Sequence, residues 1–228
     1  MRLAVIALFC LNGFFCTYPE KAKYAMDFWA EHPACYDSLR VSLSDKEALM
    51  AMAIVSPELS QFSQLEDIAQ IKAMALLYIV HGQGDFSIGY FQMKPSFAQR
   101  VETLVAADEK LKQRHRRLLI QDTRKDDPDG RRQRHERLNR LRYLEWQVRY
   151  LSAFVDIMKQ KTATLHFKND TERLRYWATV YNAGIDSSSE RIASCMSKEQ
   201  FPRFGTKFNY ADVSTEFFQT LRDAMKIR

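Results

Sequence analysis

The sequence predicts a mainly α-helical domain, and three observations predict it. Seven glycines and six prolines in 228 residues leave little of the turn punctuation that an all-β chain needs. Apolar residues recur at helical spacing, as Leu49, Met50, Ala53 and Ile54, and again as Leu138, Leu141, Leu144, Val148, Leu151, Val155 and Met158. A clear helix-start signal precedes the first of these runs: Ser44, with Glu47 three residues on, forms a capping box. A hydrophobic content of 46% in a chain of this length suits one folded domain with a sizeable core. No internal repeat and no second domain is visible.

The elements follow in order. Arg2 precedes LAVIALFCLNGFFC, an apolar run from Leu3 to Cys16 that is too short to span a bilayer comfortably but suits an export signal. Residues 1–20 are read as that signal and 21–228 as a single domain, which places the protein in the periplasm or cell envelope, or outside the cell. A buried N-terminal helix or an uncleaved anchor is the alternative. Cys10 and Cys16 leave with the signal. Cys35 and Cys195 remain, either joined as a disulfide in an oxidising compartment or as two separate buried thiols.

Residues 20–31 read as a short helix ending before Pro33. The helix opened by Ser44 is expected to loosen at Ser56, because Pro57 disfavours helical geometry in the residue before it, with Glu58 at or just past the end. Ile68, Ile71, Met74, Ala75 and Leu77 mark a helix over 65–80. HGQGDFSIGYFQ reads as a loop with short-strand character, and a helix opens near Pro95, a residue allowed in a first turn. Residues 108–160 read as two charged helices around the turn KDDPDG. A last clear helix fits TERLRYWATVYNAG, with Thr171 as cap and Gly184 as stop.

Charge is concentrated in one place. Residues 110–142 hold thirteen Lys or Arg against five Asp or Glu, whereas the whole chain carries +6, so the remainder is slightly acidic. Export argues against a nucleic-acid target, and aromatic residues are missing from the segment until Tyr143 and Trp146. The segment reads as a solvated helix face, or as a contact to an anionic wall or membrane surface. His81, His115, His135 and His166 share no metal-ligand spacing, and neither metal nor cofactor is expected.

Glu58 is the residue with chemical potential. It follows an apolar helix, facing the negative end of the helix dipole and apolar neighbours, and both favour the protonated form that a general acid needs. The plain alternative is a solvated glutamate at a helix end.

Three segments carry a resemblance. AIVSPELSQF, SIGYFQMKPSFA and WATVYNAG, in that order, resemble the motifs of the lytic transglycosylases of the lysozyme-like superfamily. That family has a helix ending in a glutamate, a Gly-x-x-Gln loop before a helix, and a Tyr-Asn-Ala-Gly helix end. Here these fall on Glu58, on Gly89 and Gln92, and on Tyr181, Asn182, Ala183 and Gly184. The chain looks like a divergent member. Leu59 stands where the family has serine, Pro57 precedes the glutamate, and the basic segment 110–142 looks inserted as a charged helical hairpin.

The resemblance implies a lysozyme-like helical domain with a small loop and short-strand region. It also implies an exported enzyme that cleaves the glycan strand of peptidoglycan between N-acetylmuramic acid and N-acetylglucosamine. Glu58 would protonate the bridging oxygen and then, as carboxylate, take the proton of the muramyl 6-hydroxyl, leaving a 1,6-anhydro end. Tyr181 would assist Glu58 or the developing charge. Ser87 and Gln92 would bind sugar polar groups, and Gly89 would let the backbone approach the glycan. Asn182 would bind substrate, or instead cap its helix or brace the loop. Asp85 is the candidate for a second carboxylate; if it positions water, the enzyme is a goose-lysozyme-like muramidase. A silent wall-binding or scaffold protein is the third reading.

Overall fold

The computed structural model describes residues 13–62, 74–120 and 130–226. The protein is mainly α-helical. Its organising element is α4 (Asp45–Leu59), opened by the capping box in which the Ser44 hydroxyl accepts from the Glu47 amide and the Glu47 carboxylate accepts from the Ser44 amide. From Ala48 to Ser60 every residue is buried except Glu58, which is half-buried. A helix apolar on all faces belongs in the middle of a domain. Accordingly α2 (Pro19–Glu31), α3 (Pro33–Arg40), α9 (Leu144–Lys161), α10 (Asp170–Ala183) and α12 (Tyr210–Met225) all pack on α4.

The chain does not leave the helix at Pro57. Helix α4 continues to Leu59, so Glu58 sits inside its last turn. So close to the C-terminus a proline forfeits one backbone hydrogen bond, and side chains reinforce the turn. The Ser60 hydroxyl donates to the Pro57 carbonyl at 2.6 Å, and Ser56 donates to Met52 at 2.8 Å while accepting from the Trp29 indole at 2.9 Å.

The expected domain boundary at residue 20 cuts through packed structure. Helix α1 (Phe14–Thr17) and the start of α2 belong to the domain. Phe14 has no exposed surface and packs against Tyr18, Phe201, Phe208 and Phe217, and the Glu216 carboxylate accepts from the amides of Phe14 and Phe15. Residues 1–12 of the expected leader lie outside the described residues. No helix among the described residues is long and apolar enough to cross a membrane.

Of the expected helix over 65–80, residues 74–81 are described and are helical (α5). After the loop come α6 (Pro95–Ala107), α7 (Glu109–His115), a 3-10 turn at Arg116–Leu118, and α8 (Arg131–Leu141). Most of the KDDPDG turn lies outside the described residues. The long stripe from Leu138 to Met158 is divided: α8 ends at Leu141, closed by 3-10-type bonds from the Arg142 and Tyr143 amides, and α9 starts at Leu144. Asn169, not Thr171, caps α10, its side chain accepting from the Glu172 amide. Beyond α10 lie α11 (Ser189–Met196) and an antiparallel hairpin of β1 (Glu199–Phe201) and β2 (Phe208–Asn209), which runs directly into α12.

Several arginines of the basic segment turn inward. Arg137 is buried, forked on Glu102 with its closest contact at 2.6 Å, and also donates to the Tyr78 hydroxyl, while the Tyr150 hydroxyl donates to Glu102 at 2.6 Å. Arg134 donates to the carbonyls of Ile79 and Val80 at the end of α5. Arg140 donates to the Leu118 carbonyl and lies over the Trp146 ring. These arginines bind helix ends and a carboxylate, so much of the segment's charge serves the packing of α5, α6 and α8.

Cys35 and Cys195 are not joined; both are free thiols. Cys35 sits in α3, which packs on α4 and α9, whereas Cys195 sits in α11 against α10. Burial pushes the Cys35 thiol up to about 11, which makes it an inert core residue.

Candidate active site

Glu58, in the last turn of α4, is the one half-buried residue in the buried run. Burial pushes it from its ordinary value of 4.5 up to about 7, against the smaller opposing pulls of a hydrogen bond with Tyr210 and the positive charge of Lys94. Near neutral pH the acid and carboxylate forms are therefore both populated.

Two tyrosines share this environment. Burial, and after it the charge of Glu58, holds the hydroxyls of Tyr181 and Tyr210 well above the ordinary tyrosine value, so both keep their protons. The Tyr210 hydroxyl donates to the Ile54 carbonyl at 2.9 Å and is also hydrogen-bonded to Glu58. One hydroxyl proton cannot serve two acceptors. Tyr210 places its proton on the Ile54 carbonyl, and its closeness to Glu58 lowers the carboxyl's value, partly offsetting burial. Asn209 fixes it there, its side chain accepting from Ala211 at the start of α12 and donating to the carbonyls of Cys195 and Lys198.

Tyr181 does a different job from the one expected. It lies near Glu58, but its hydroxyl donates to the Phe91 carbonyl at 2.7 Å, and its ring packs edge-on against Phe97 and Phe154. The amide of the same Phe91 donates to the side chain of Gln147 at 2.8 Å. The Phe91 backbone is clamped at both ends, once from α10 and once from α9.

Gln147 explains the glycine of the loop. It is fully buried, and its amide nitrogen donates to the Leu141 carbonyl at 2.7 Å, the carbonyl released where α8 and α9 part. Gly89 has φ +69°, and a Cβ there would lie 1.8 Å from the Gln147 amide nitrogen. Gly89 therefore makes room for Gln147. A bridge between Ile88 and Met93 closes the loop, and Gln92, at φ +48°, turns its amide nitrogen back to the Gly89 carbonyl at 2.8 Å. One of the two hydrogens on that nitrogen is thereby used in the turn.

Tyr90 and Phe91 anchor the loop. Phe91 is buried against Phe28 and Trp29, and Tyr90 packs on Phe28 and Phe62. Ser87 is half-buried beside Ile88, and Asn182 is exposed. Asn182 does not cap its helix: the Gly184 amide donates to Val180 and the Ser187 hydroxyl to Ala183. Asp85 is 44% exposed, accepts from the Ser96 amide at 3.3 Å near the start of α6, and lies 3.6 Å from Lys94.

The structure thus gathers Glu58, Tyr181 and the loop 84–92, and adds Tyr210, Lys94 and Gln147, which sequence reasoning missed. Among the described residues no group of three His, Cys, Asp or Glu side chains is placed to hold a metal ion. A cavity of about 730 Å³ opens elsewhere, on the basic segment, lined by residues including Leu119, Arg131, His135 and Arg140. No family model, no curated protein and no solved structure matches the chain.

Proposed function

We propose that the protein is a glycan-cleaving enzyme of lysozyme-like architecture, acting on peptidoglycan as a lytic transglycosylase. The observation that carries this reading is Glu58, the one half-buried residue in a buried run, with burial holding its carboxyl near 7. Such a group gives up a proton and takes one back at neutral pH, the two tasks a single-carboxylate lyase assigns to one residue. As acid it protonates the glycosidic oxygen. As carboxylate it removes the proton of the 6-hydroxyl, whose oxygen closes on the anomeric carbon. Tyr210 and Lys94 beside it favour the carboxylate and temper the effect of burial.

The lyase outcome is favoured over hydrolysis by Asp85. A hydrolase needs a second carboxylate free to direct water, and this one is engaged by the Ser96 amide and faces Lys94.

Incubation with purified peptidoglycan and weighing of the products tests the reading. The expected fragments end in an anhydro sugar, one water lighter than a reducing end. Glu58→Gln should lower kcat about 10²–10⁴-fold. Full activity in that variant, or no cleavage of any glycan by the unaltered protein, refutes the proposal.

A further inference from the structure

The tip of the β1–β2 hairpin holds a large aromatic side chain in solvent. Phe204 is 75% exposed, although the loop around it is firmly held. The Arg203 amide donates to the Gln61 side chain at 3.0 Å, the Lys207 ammonium donates to the carbonyls of Pro202 and Arg203, and the Tyr18 hydroxyl donates to Thr206 at 3.1 Å. Gly205 has φ +87°, and a Cβ there would lie 2.2 Å from the Tyr18 hydroxyl, so only glycine lets that brace form. The exposure of Phe204 is imposed by tied backbone on both sides.

Both ends of the hairpin reach the surroundings of Glu58. Gln61, which Arg203 holds, donates its own amide to the Glu58 carbonyl at 3.0 Å. At the other end β2 passes directly into Tyr210, which is hydrogen-bonded to Glu58. The Arg203 guanidinium sits 5.4 Å from the centre of the Phe204 ring and has no acidic partner among the described residues. An aromatic face and a cation thus stand together on a hairpin whose backbone is tied through Gln61 to the last turn of α4.

We infer that Arg203 and Phe204 form a glycan subsite on the hairpin tied to the last turn of α4, the Phe204 ring stacking on the apolar face of an N-acetylated sugar and Arg203 pairing with the carboxylate of that sugar's substituent. The inference rests on the glycan-cleaving reading and deepens it. A pyranose presents a face of C–H groups that suits a solvent-exposed ring, as amphipathic ligands suit aromatic surfaces generally. A muramyl residue carries a lactyl ether or peptide stem with carboxylates, the partner that a free guanidinium prefers. An uncharged chitooligosaccharide offers the first contact without the second.

The test separates binding from cleavage by using full-length Glu58→Gln protein. A Phe204→Trp change introduced into it provides a fluorescent reporter, titrated with chitotetraose and with soluble muropeptide. The reporter emission should change with both ligands. Phe204→Ala should weaken both about two- to tenfold, and Arg203→Gln should weaken only the muropeptide. In the protein that keeps Glu58, Phe204→Ala should raise KM by a similar factor with kcat within about twofold, and circular dichroism should be unchanged because the side chain is exposed. Glycan binding that is indifferent to Phe204 and Arg203 overturns the subsite while leaving the proposed function standing. A protein that binds and cleaves no glycan overturns both.

Discussion

Glu58→Gln should make the protein more stable in alkali, whether or not a substrate is ever found. The carboxyl rises from 4.5 to about 7 on folding because burial penalises its charged form. A group with a raised value binds more protons in the folded state between those two limits, so stability falls as pH rises through that window. Below about pH 4.5 Glu58 is neutral in both states and carries no penalty. Above about pH 7 it is ionised and imposes the full one. At about 1.4 kcal/mol per pH unit, the window from 4.5 to about 7 sets an upper bound of about 3.5 kcal/mol. Glu58 is half-buried rather than sealed, so about 1–3 kcal/mol is expected. Glutamine keeps the shape without the charge. Thermal unfolding at pH 5 and pH 9 should place the two proteins close together at the acid end. At the alkaline end the variant should melt higher by roughly 2–10 °C, at about 2–4 °C per kcal/mol for a chain of this size. Equal melting temperatures at pH 9, or a less stable variant there, would refute the argument that burial holds a proton on Glu58.

Two further predictions concern the frame around it. Gln147→Leu removes the partner of the Phe91 amide and the Leu141 carbonyl, and should cost about 2–4 kcal/mol; denaturant melts measure it, and a neutral result refutes the clamp. Phe14→Ala should cost about 3–5 kcal/mol for the loss of a buried ring, and a chain begun at residue 21 should fold poorly beside one begun at Gly13, as proteolysis and thermal melts would report.

The signals written locally were readable in the sequence. The capping box of Ser44 and Glu47 opens α4 as expected, and Gly184 ends α10. What failed depends on contacts between distant residues. Pro57 discourages a helix by itself, but Ser60 and the buried setting of α4 carry the turn past it. The stripe from Leu138 to Met158 is unbroken as a pattern, and it divides because Gln147 takes the Leu141 carbonyl. Tyr210 carried no motif signal, since its value comes from a hairpin and an Asn209 cap that swing it onto α4. Counting cysteines left a Cys35–Cys195 bridge and two separate thiols both open, because a count says nothing about which helices pack together.

The same logic explains how the residues that resemble a motif divide their work. Gly89, Gln92 and Tyr181 are engaged mostly with one another's surroundings: glycine against Gln147, glutamine on its own turn, tyrosine on the Phe91 carbonyl. The Phe91 ring packs on Trp29, Trp29 is bonded to Ser56 of α4, and Ser56 lies two residues before Glu58. Helices α2, α4, α9 and α10 are thereby tied to a single loop residue beside the carboxyl. A group asked to change protonation state gains from neighbours that do not move when it does, because nothing then has to reorganise as charge develops. In this site the clamp on Phe91 supplies the fixed wall, and the Tyr210 hydroxyl, held on the Ile54 carbonyl, is a second fixed group near the carboxyl.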